Sequence, residues 1–269
     1  MMEKTDKELN IKPIFPNAVT MTALAFGVSS INMAFWGEWS LAILFIALAG
    51  VFDFLDGKVA RMLNVSSKFG AELDSLSDFV SFGVAPAFLM YLWTMDGNTR
   101  ISVLQNLAVK KEAIGVYWGF VLFVSMCCAA RLARFNSLID TKQPPYWKHF
   151  FMGVPAPAGG FLSILPLIFW LAGGQEFECF RNPIVAAFFL VFSGVMMASK
   201  IPTLCLKHIH VSSQMSTILM FTAFFIIAGL ITLPWMTLSL IGIVYLISIP
   251  VCVYYFLKFK KEYYLINKE

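Results

Sequence analysis

The sequence predicts an all-α fold, a polytopic bundle of about eight transmembrane helices with both termini on one side of the membrane. Three observations predict it. The chain is 59% hydrophobic and only 13% charged, where a soluble domain runs at about 45–50% apolar and about 25% charged. Its mean hydropathy is +0.75. The charges are also segregated: 161–172 and 220–251 contain no Asp, Glu, Lys or Arg.

A helix needs about 20 apolar residues to cross a bilayer core, and the chain offers candidates at 17–36, 38–60, 74–95, 114–135, 154–173, 182–202, 214–232 and 234–257. The first follows the Pro16-Asn17 pair. The second carries no charge between Glu38 and Asp53, and the third opens on Asp74 and Asp78. The fourth ends in Arg131-Leu-Ala-Arg134, and the fifth has a kinked start at Gly153, Pro155 and Pro157. The sixth precedes Lys200. The last two are one apolar stretch, divided at Leu233-Pro234 because proline starts helices or forces turns. The organisation expected is a juxtamembrane segment at 1–16, a core at 17–202, a terminal helix pair at 203–257 and a tail at 258–269.

Basic residues orient such a bundle. Sixteen of the twenty fall on the side of the termini, among them Lys58, Arg61, Lys68, Arg131, Arg134, Lys142, Lys148, Lys200, Lys207, Lys258, Lys260 and Lys261. Arg100, Lys110, Lys111 and Arg181 fall opposite. Both termini, and the loops after spans 2, 4 and 6, are therefore expected in the cytoplasm. Merging or removing the final pair leaves this side unchanged. The first residues lack a secretory signal pattern; Leu9, Ile11, Ile14 and Phe15 among charges fit either an interfacial amphipathic helix or an unstructured tail. Lys142, Lys148 and His149 read as loop charges facing anionic lipid. The cysteines, Cys127, Cys128, Cys179, Cys205 and Cys252, show no metal-ligand spacing and read as packing residues. No aromatic-basic interleaving points to a nucleic acid.

Four aspartates stand out against this background, because an ionisable group within a span is a functional hypothesis by default. Asp53, Asp56, Gly57, Ala60 and Arg61 share one helix face at 100° per residue, and Gly70, Asp74 and Asp78 stack at i, i+4 and i+8. The short connection around 64–68 makes the two helices antiparallel neighbours. Four carboxylates then converge, and in a low-dielectric setting they repel unless a cation sits among them. Oxygen ligands in this number suit Mg²⁺, Mn²⁺ or Ca²⁺, and the lack of nearby His or Cys argues against zinc or copper. Gly57, Ala60 and Gly70 keep the faces free of bulk for a ligand such as a nucleotide diphosphate. Arg61 offers a donor fork for phosphate. A lone Asp is more often a cap or a solvated charge, and glycines alone mean tight packing; four on facing surfaces are not explained that way. Glu72 lies off the face.

Asp56-Gly57-x-x-Ala60-Arg61, eight residues, then Gly70-x-x-x-Asp74-x-x-x-Asp78 fixes seven positions over 23 residues and resembles the CDP-alcohol phosphotransferase signature without departure. Asp53 also matches that family. The resemblance implies one or two divalent cations, Mg²⁺ or Mn²⁺, on Asp53, Asp56, Asp74 and Asp78, with Asp78 as general base. It implies attack of an alcohol on a CDP-linked lipid with departure of CMP. Gly57, Ala60, Arg61 and Gly70 would hold the CMP-diphosphate portion, together with Asn17 and Thr20 from Pro16-Asn17-x-x-Thr20 and the loop hydroxyl of Ser67. Homodimerisation is implied too.

The signature does not choose the acceptor. The segments DSLSDFVSFGVAP (74–86), RLARFN (131–136), FMGVPAPAGG (151–160) and SKIPT (199–203) look like the branch of the family formed by the bacterial and archaeal membrane-integrated phosphatidylserine synthases. That likeness implies CDP-diacylglycerol and L-serine as substrates, in a prokaryotic plasma membrane. Arg131 and Arg134, at i and i+3 beside Asn136, are candidates to clamp the serine carboxylate; they also read as positive-inside anchors. Two alternatives stay open. A phosphatidylglycerophosphate synthase would use the same chemistry on glycerol 3-phosphate and would need further cations. A cation transporter also carries intramembrane aspartates, though usually near the midplane on broken helices. A non-catalytic scaffold gives no reason for a fourth aspartate.

Overall fold

A computed structural model describes residues 14–65, 67–95, 110–138, 144–147, 150–204 and 213–266. The expectations for the N-terminal segment and for Lys142, Lys148, His149, Cys205 and Lys207 lie outside these residues.

Helix α1 (Ile14–Phe35) buries Pro16, Thr20, Ala23, Gly27, Ser30 and Ala34, spaced three or four apart. This stripe of small side chains lets neighbours approach closely. A Cβ at Gly27 would sit 2.8 Å from the Ser81 Cβ. Helix α2 (Trp39–Met62) returns after a turn in which Gly37 has φ +73°, and it packs along α1. It ends at Leu63 and the left-handed Asn64.

Helix α3 (Lys68–Asp78) begins six residues earlier than the aspartates suggest, because Ser67 caps it by accepting a hydrogen bond from the Gly70 N–H at 2.9 Å. Asp74 is therefore an interior helical residue rather than the first of its span. The helix runs through a π-helical stretch, Phe79–Val84, into α4 (Ala85–Met95), making one continuous rod.

Helix α5 (Lys110–Leu138) packs against the π-helical stretch, and a Cβ at Gly83 would meet the Cys128 side chain at 2.9 Å. Helices α6 (Ala156–Ser163) and α7 (Leu165–Gly173) form one rod bent by 49° at Ile164. Gly160 lies where a Cβ would stand 2.9 Å from the Phe82 carbonyl oxygen. Helix α8 (Pro183–Ala198) starts from the Asn182 cap, and α9 (Ser213–Thr232) and α10 (Pro234–Ile266) complete the bundle. The core lies where α4, α6, α7 and α8 meet, around Trp93, Leu89, Met90, Leu162, Leu167 and Leu190.

The protein is a helical polytopic membrane protein. Five helices are long and apolar enough to cross a bilayer, six if the bent α6–α7 rod is one span, while Pro183–Ala198 and Ser216–Thr232 are shorter apolar helices. Among the described residues, helical rods overlap each of the predicted ranges, and two helices meet at Leu233-Pro234. Two departures have clear causes. A two-stranded antiparallel ribbon, β1 (Phe150–Met152) with β2 (Pro202–Leu204), ties together the loops after α5 and α8. Gly153 enables it at φ +78°, its carbonyl accepting from the Thr203 hydroxyl at 2.7 Å. Helix α10 also runs past 257 to Ile266, because Phe256 packs on Tyr146, Trp147 and Phe150.

Candidate active site

Helix α1 organises the site. Its Thr20 hydroxyl lies 2.6 Å from Asp56 Oδ2 and donates to it, and also lies 3.1 Å from the Pro16 carbonyl oxygen. Asp56 is only 6% exposed, so this donor meets a buried carboxylate that would otherwise be costly. On the other flank, the Ser77 hydroxyl donates to the Thr20 carbonyl at 3.3 Å and the Ser81 hydroxyl to the Ala23 carbonyl at 3.5 Å. Helices α2 and α3 are thereby both registered on α1. Ser77 and Ser81, small hydroxyl residues at i and i+4 beside the aspartate face, are the signal in the sequence for this registration and stand outside the residues expected at the site.

The aspartates meet as their helical phases require. Asp53, Asp56 and Asp74 each offer a carboxylate oxygen, and these oxygens lie within 4.8 Å of one another. Asp78, one turn beyond Asp74, touches Asp53, while its Oδ1 is buried with no hydrogen-bond partner among the described residues. Glu72 is exposed. The donors are all hard oxygens and one buried oxygen is unsatisfied, so the set fits a hard divalent cation such as Mg²⁺ or Mn²⁺.

A cavity of about 200 Å³ opens beside the cluster between α1, α2 and α3. Asn17, Thr20, Gly57, Ala60, Ser67 and Gly70 line it together with Asp56 and Asp74; Val65 and Ala71, not singled out from the sequence, also contribute. A Cβ at Gly57 would meet nothing within 4 Å, whereas one at Gly70 would stand 3.0 Å from Asn17 Oδ1 and 3.1 Å from Ser67 Oγ. Gly57 therefore borders open space, whereas Gly70 lets Asn17 and Ser67 approach closely. Arg61 is not among the lining residues: it is exposed, and its Nε donates to the Gly57 carbonyl at 2.9 Å.

The three residues considered for the acceptor separate. Arg131 is half-buried, with its guanidinium carbon 5.8 Å from the Phe135 ring centre, and it faces the charges of Asp78 and Asp53. Arg134 points elsewhere, donating through Nη1 to the carbonyls of Ala198 at 2.7 Å and Ser199 at 3.1 Å. Those carbonyls end α8, so Arg134 caps that helix. Asn136 donates through Nδ2 to Ser75 Oγ at 3.0 Å and couples α5 to α3.

A helical membrane bundle that gathers four carboxylates beside a cavity built from small residues defines a class, the membrane-embedded transferases that handle phosphate-bearing ligands. The chain belongs to the CDP-alcohol phosphatidyltransferase family, whose model matches residues 13–254. It is 31% identical over 242 residues to a CDP-diacylglycerol-serine O-phosphatidyltransferase of Mycobacterium leprae, covering 90% of this chain and 75% of that one. A protein of the same name from Helicobacter pylori is 34% identical over 193 residues, 70% of each chain. Another, from Methanocaldococcus jannaschii, is 38% identical over 146 residues, 54% of this chain and 56% of that one.

Proposed function

We propose that this chain transfers the phosphatidyl group of CDP-diacylglycerol to the hydroxyl of L-serine and releases CMP. The observation that carries the proposal is the cavity itself: the family's nucleotide-side residues Asn17, Thr20, Gly57, Ala60, Ser67 and Gly70 open directly onto Asp56 and Asp74. The names of the similar proteins support serine as acceptor.

Asp53, Asp56, Asp74 and Asp78 would hold Mg²⁺ or Mn²⁺. When bound, such an ion neutralises diphosphate charge and stabilises the leaving CMP. The chain's own residues supply the rest. Thr20 fixes the Asp56 carboxylate through its hydroxyl. Gly57 leaves room for the diphosphate to approach backbone, Gly70 brings Asn17 and Ser67 close beside it, and Arg61 stands nearby as a phosphate partner. Asp78 Oδ1, buried and unpartnered, is the proton acceptor: the serine oxygen bonds to the phosphorus next to the lipid, the bond from that phosphorus to CMP breaks, and the serine proton passes to Oδ1.

The proposal places the site at the cytoplasmic face of a prokaryotic plasma membrane, with both termini cytoplasmic, eight spans and a homodimeric assembly. Lys58, Arg61, Lys68, Arg131, Arg134, Lys200, Lys258, Lys260 and Lys261 lie toward the ends of the rods at which the aspartates gather, and Arg181 lies at the opposite end of the α7–α8 connection, which supports that orientation.

The test is purified protein in detergent micelles with CDP-diacylglycerol, Mn²⁺ or Mg²⁺, and labelled serine, glycerol 3-phosphate or inositol in parallel. CMP release that depends on serine and is abolished by EDTA is expected. Release with glycerol 3-phosphate alone would replace the serine reading with the phosphatidylglycerophosphate one.

A further inference from the structure

Polar groups on three helices, Asp78 of α3, Arg131 of α5 and Tyr245 of α10, lie outside the lining of the α1–α3 cavity. Asp78 Oδ1 of α3 and the Tyr245 hydroxyl of α10 are buried without a hydrogen-bond partner among the described residues. Arg131 of α5 lies between them in electrostatic terms, facing Asp78 and Asp53 on one hand and Tyr245 on the other. Among the described residues it makes no hydrogen bond or ion pair, its contact being the Phe135 ring.

Tyr245 is not a stray lipid-facing residue. It belongs to the inward stripe Gly242, Tyr245, Ile249, Cys252 and Phe256, spaced three and four apart. The stripe is anchored at both ends. Gly242 abuts Leu165 of α7 so closely that a Cβ would strike it, and Phe256 packs 4.5 Å from the Trp147 ring. A buried hydroxyl left unbonded costs about 1–3 kcal/mol, and a polar ligand group beside this firmly held phenol would recover that cost.

We infer that Tyr245 and Arg131 form the recognition site for the carboxylate of the acceptor. The inference rests on the proposed transfer to a hydroxy amino acid and assigns a binding group to the terminal helix. The phenol donates one hydrogen bond and the guanidinium donates others, a combination suited to a carboxylate. The acceptor hydroxyl then reaches Asp78 Oδ1. Arg131 also compensates the aspartates, so acceptor and catalytic base share one cation.

The test is Tyr245→Phe in the full chain, assayed in mixed micelles of CDP-diacylglycerol with Mn²⁺ and serine, beside Ser239→Ala as control. Ser239 has a buried unbonded hydroxyl on the same helix, about one and two-thirds turns away. Tyr245→Phe is expected to raise the KM for serine about ten-fold, with the KM for CDP-diacylglycerol and the melting midpoint unchanged. Ser239→Ala should leave all three unchanged. An unchanged serine KM in Tyr245→Phe, or equal rises in both KM values with a lowered midpoint, overturns the inference. If the wild type instead uses another acceptor, the serine reading fails separately. The same variant assayed on that acceptor then decides the site: a selective rise in its KM keeps Tyr245 as an acceptor group, and no rise removes it.

Discussion

The Thr20 hydroxyl and the Asp56 carboxylate, 36 positions apart in sequence, meet at 2.6 Å in a buried contact between α1 and α2. In the cation-binding role proposed for Asp56, one oxygen fixed by a neighbour lets the other present in a set direction. Orientation of this kind by outer residues accounts for much of the affinity of metal sites.

Replacing Thr20 by Val keeps the shape and removes the donor. The Mn²⁺ or Mg²⁺ concentration for half-maximal activity should rise by about 10-fold or more, with the helical circular dichroism unchanged. Titration of activity against metal checks it, and an unshifted midpoint would show that Asp56 needs no such support.

Asp78→Asn removes the proposed proton acceptor while preserving bulk. Turnover should fall by at least about 100-fold, while binding of labelled CDP-diacylglycerol is partly retained. Retained turnover would remove Asp78 from the role of base.

Gly57→Ala should separate stability from function. A Cβ there meets nothing within 4 Å, and alanine favours a helix over glycine by about 1 kcal/mol. Thermal stability should hold or rise while the KM for CDP-diacylglycerol increases, because the methyl group projects into the cavity. A parallel fall in stability would mean that the space serves packing after all.

Arg134→Met should act in the opposite sense. It frees the carbonyls of Ala198 and Ser199, a loss of about 1.5–3 kcal/mol for a charged donor, so the melting midpoint drops. The serine KM should remain within about two-fold, since this guanidinium is engaged at the end of α8. A selective change in serine KM would return Arg134 to the acceptor site.

The aspartate cluster was readable in the sequence because helical phase is a local property: Asp53 and Asp56, and Asp74 and Asp78, need only the 100° rotation per residue to be placed. What hydropathy could not show was the start of α3. The charged stretch Lys68–Asp74 reads as a loop on an apolar scale, yet the Ser67 cap makes it helix. The β1–β2 ribbon depends on a pairing between residues some 50 positions apart, and no local pattern encodes it. Arg134 and Asn136 looked like Arg131 in sequence, and only their distant partners, Ala198, Ser199 and Ser75, distinguish them. Tyr245 was hidden for another reason. In an apolar stretch every face looks alike, so the inward one emerges only after packing.

The π-helical stretch Phe79–Val84 directly after Asp78 makes its own demand on the chain. A wider turn takes up an additional residue, so the aspartate half and the core half of one rod keep separate angular settings. Removing a single residue from 79–84 would let the α-helical ladder close with the two halves in nearly the same relative rotation, because the wide turn had absorbed that residue; removing one from the α-helical segments on either side would swing one half against the other by about 100°. Either the carboxylates would leave their partners on α2, or Leu89, Met90 and Trp93 would leave the core. A single-residue deletion should consequently be accepted within Phe79–Val84 far more readily than within the α-helical segments that flank it.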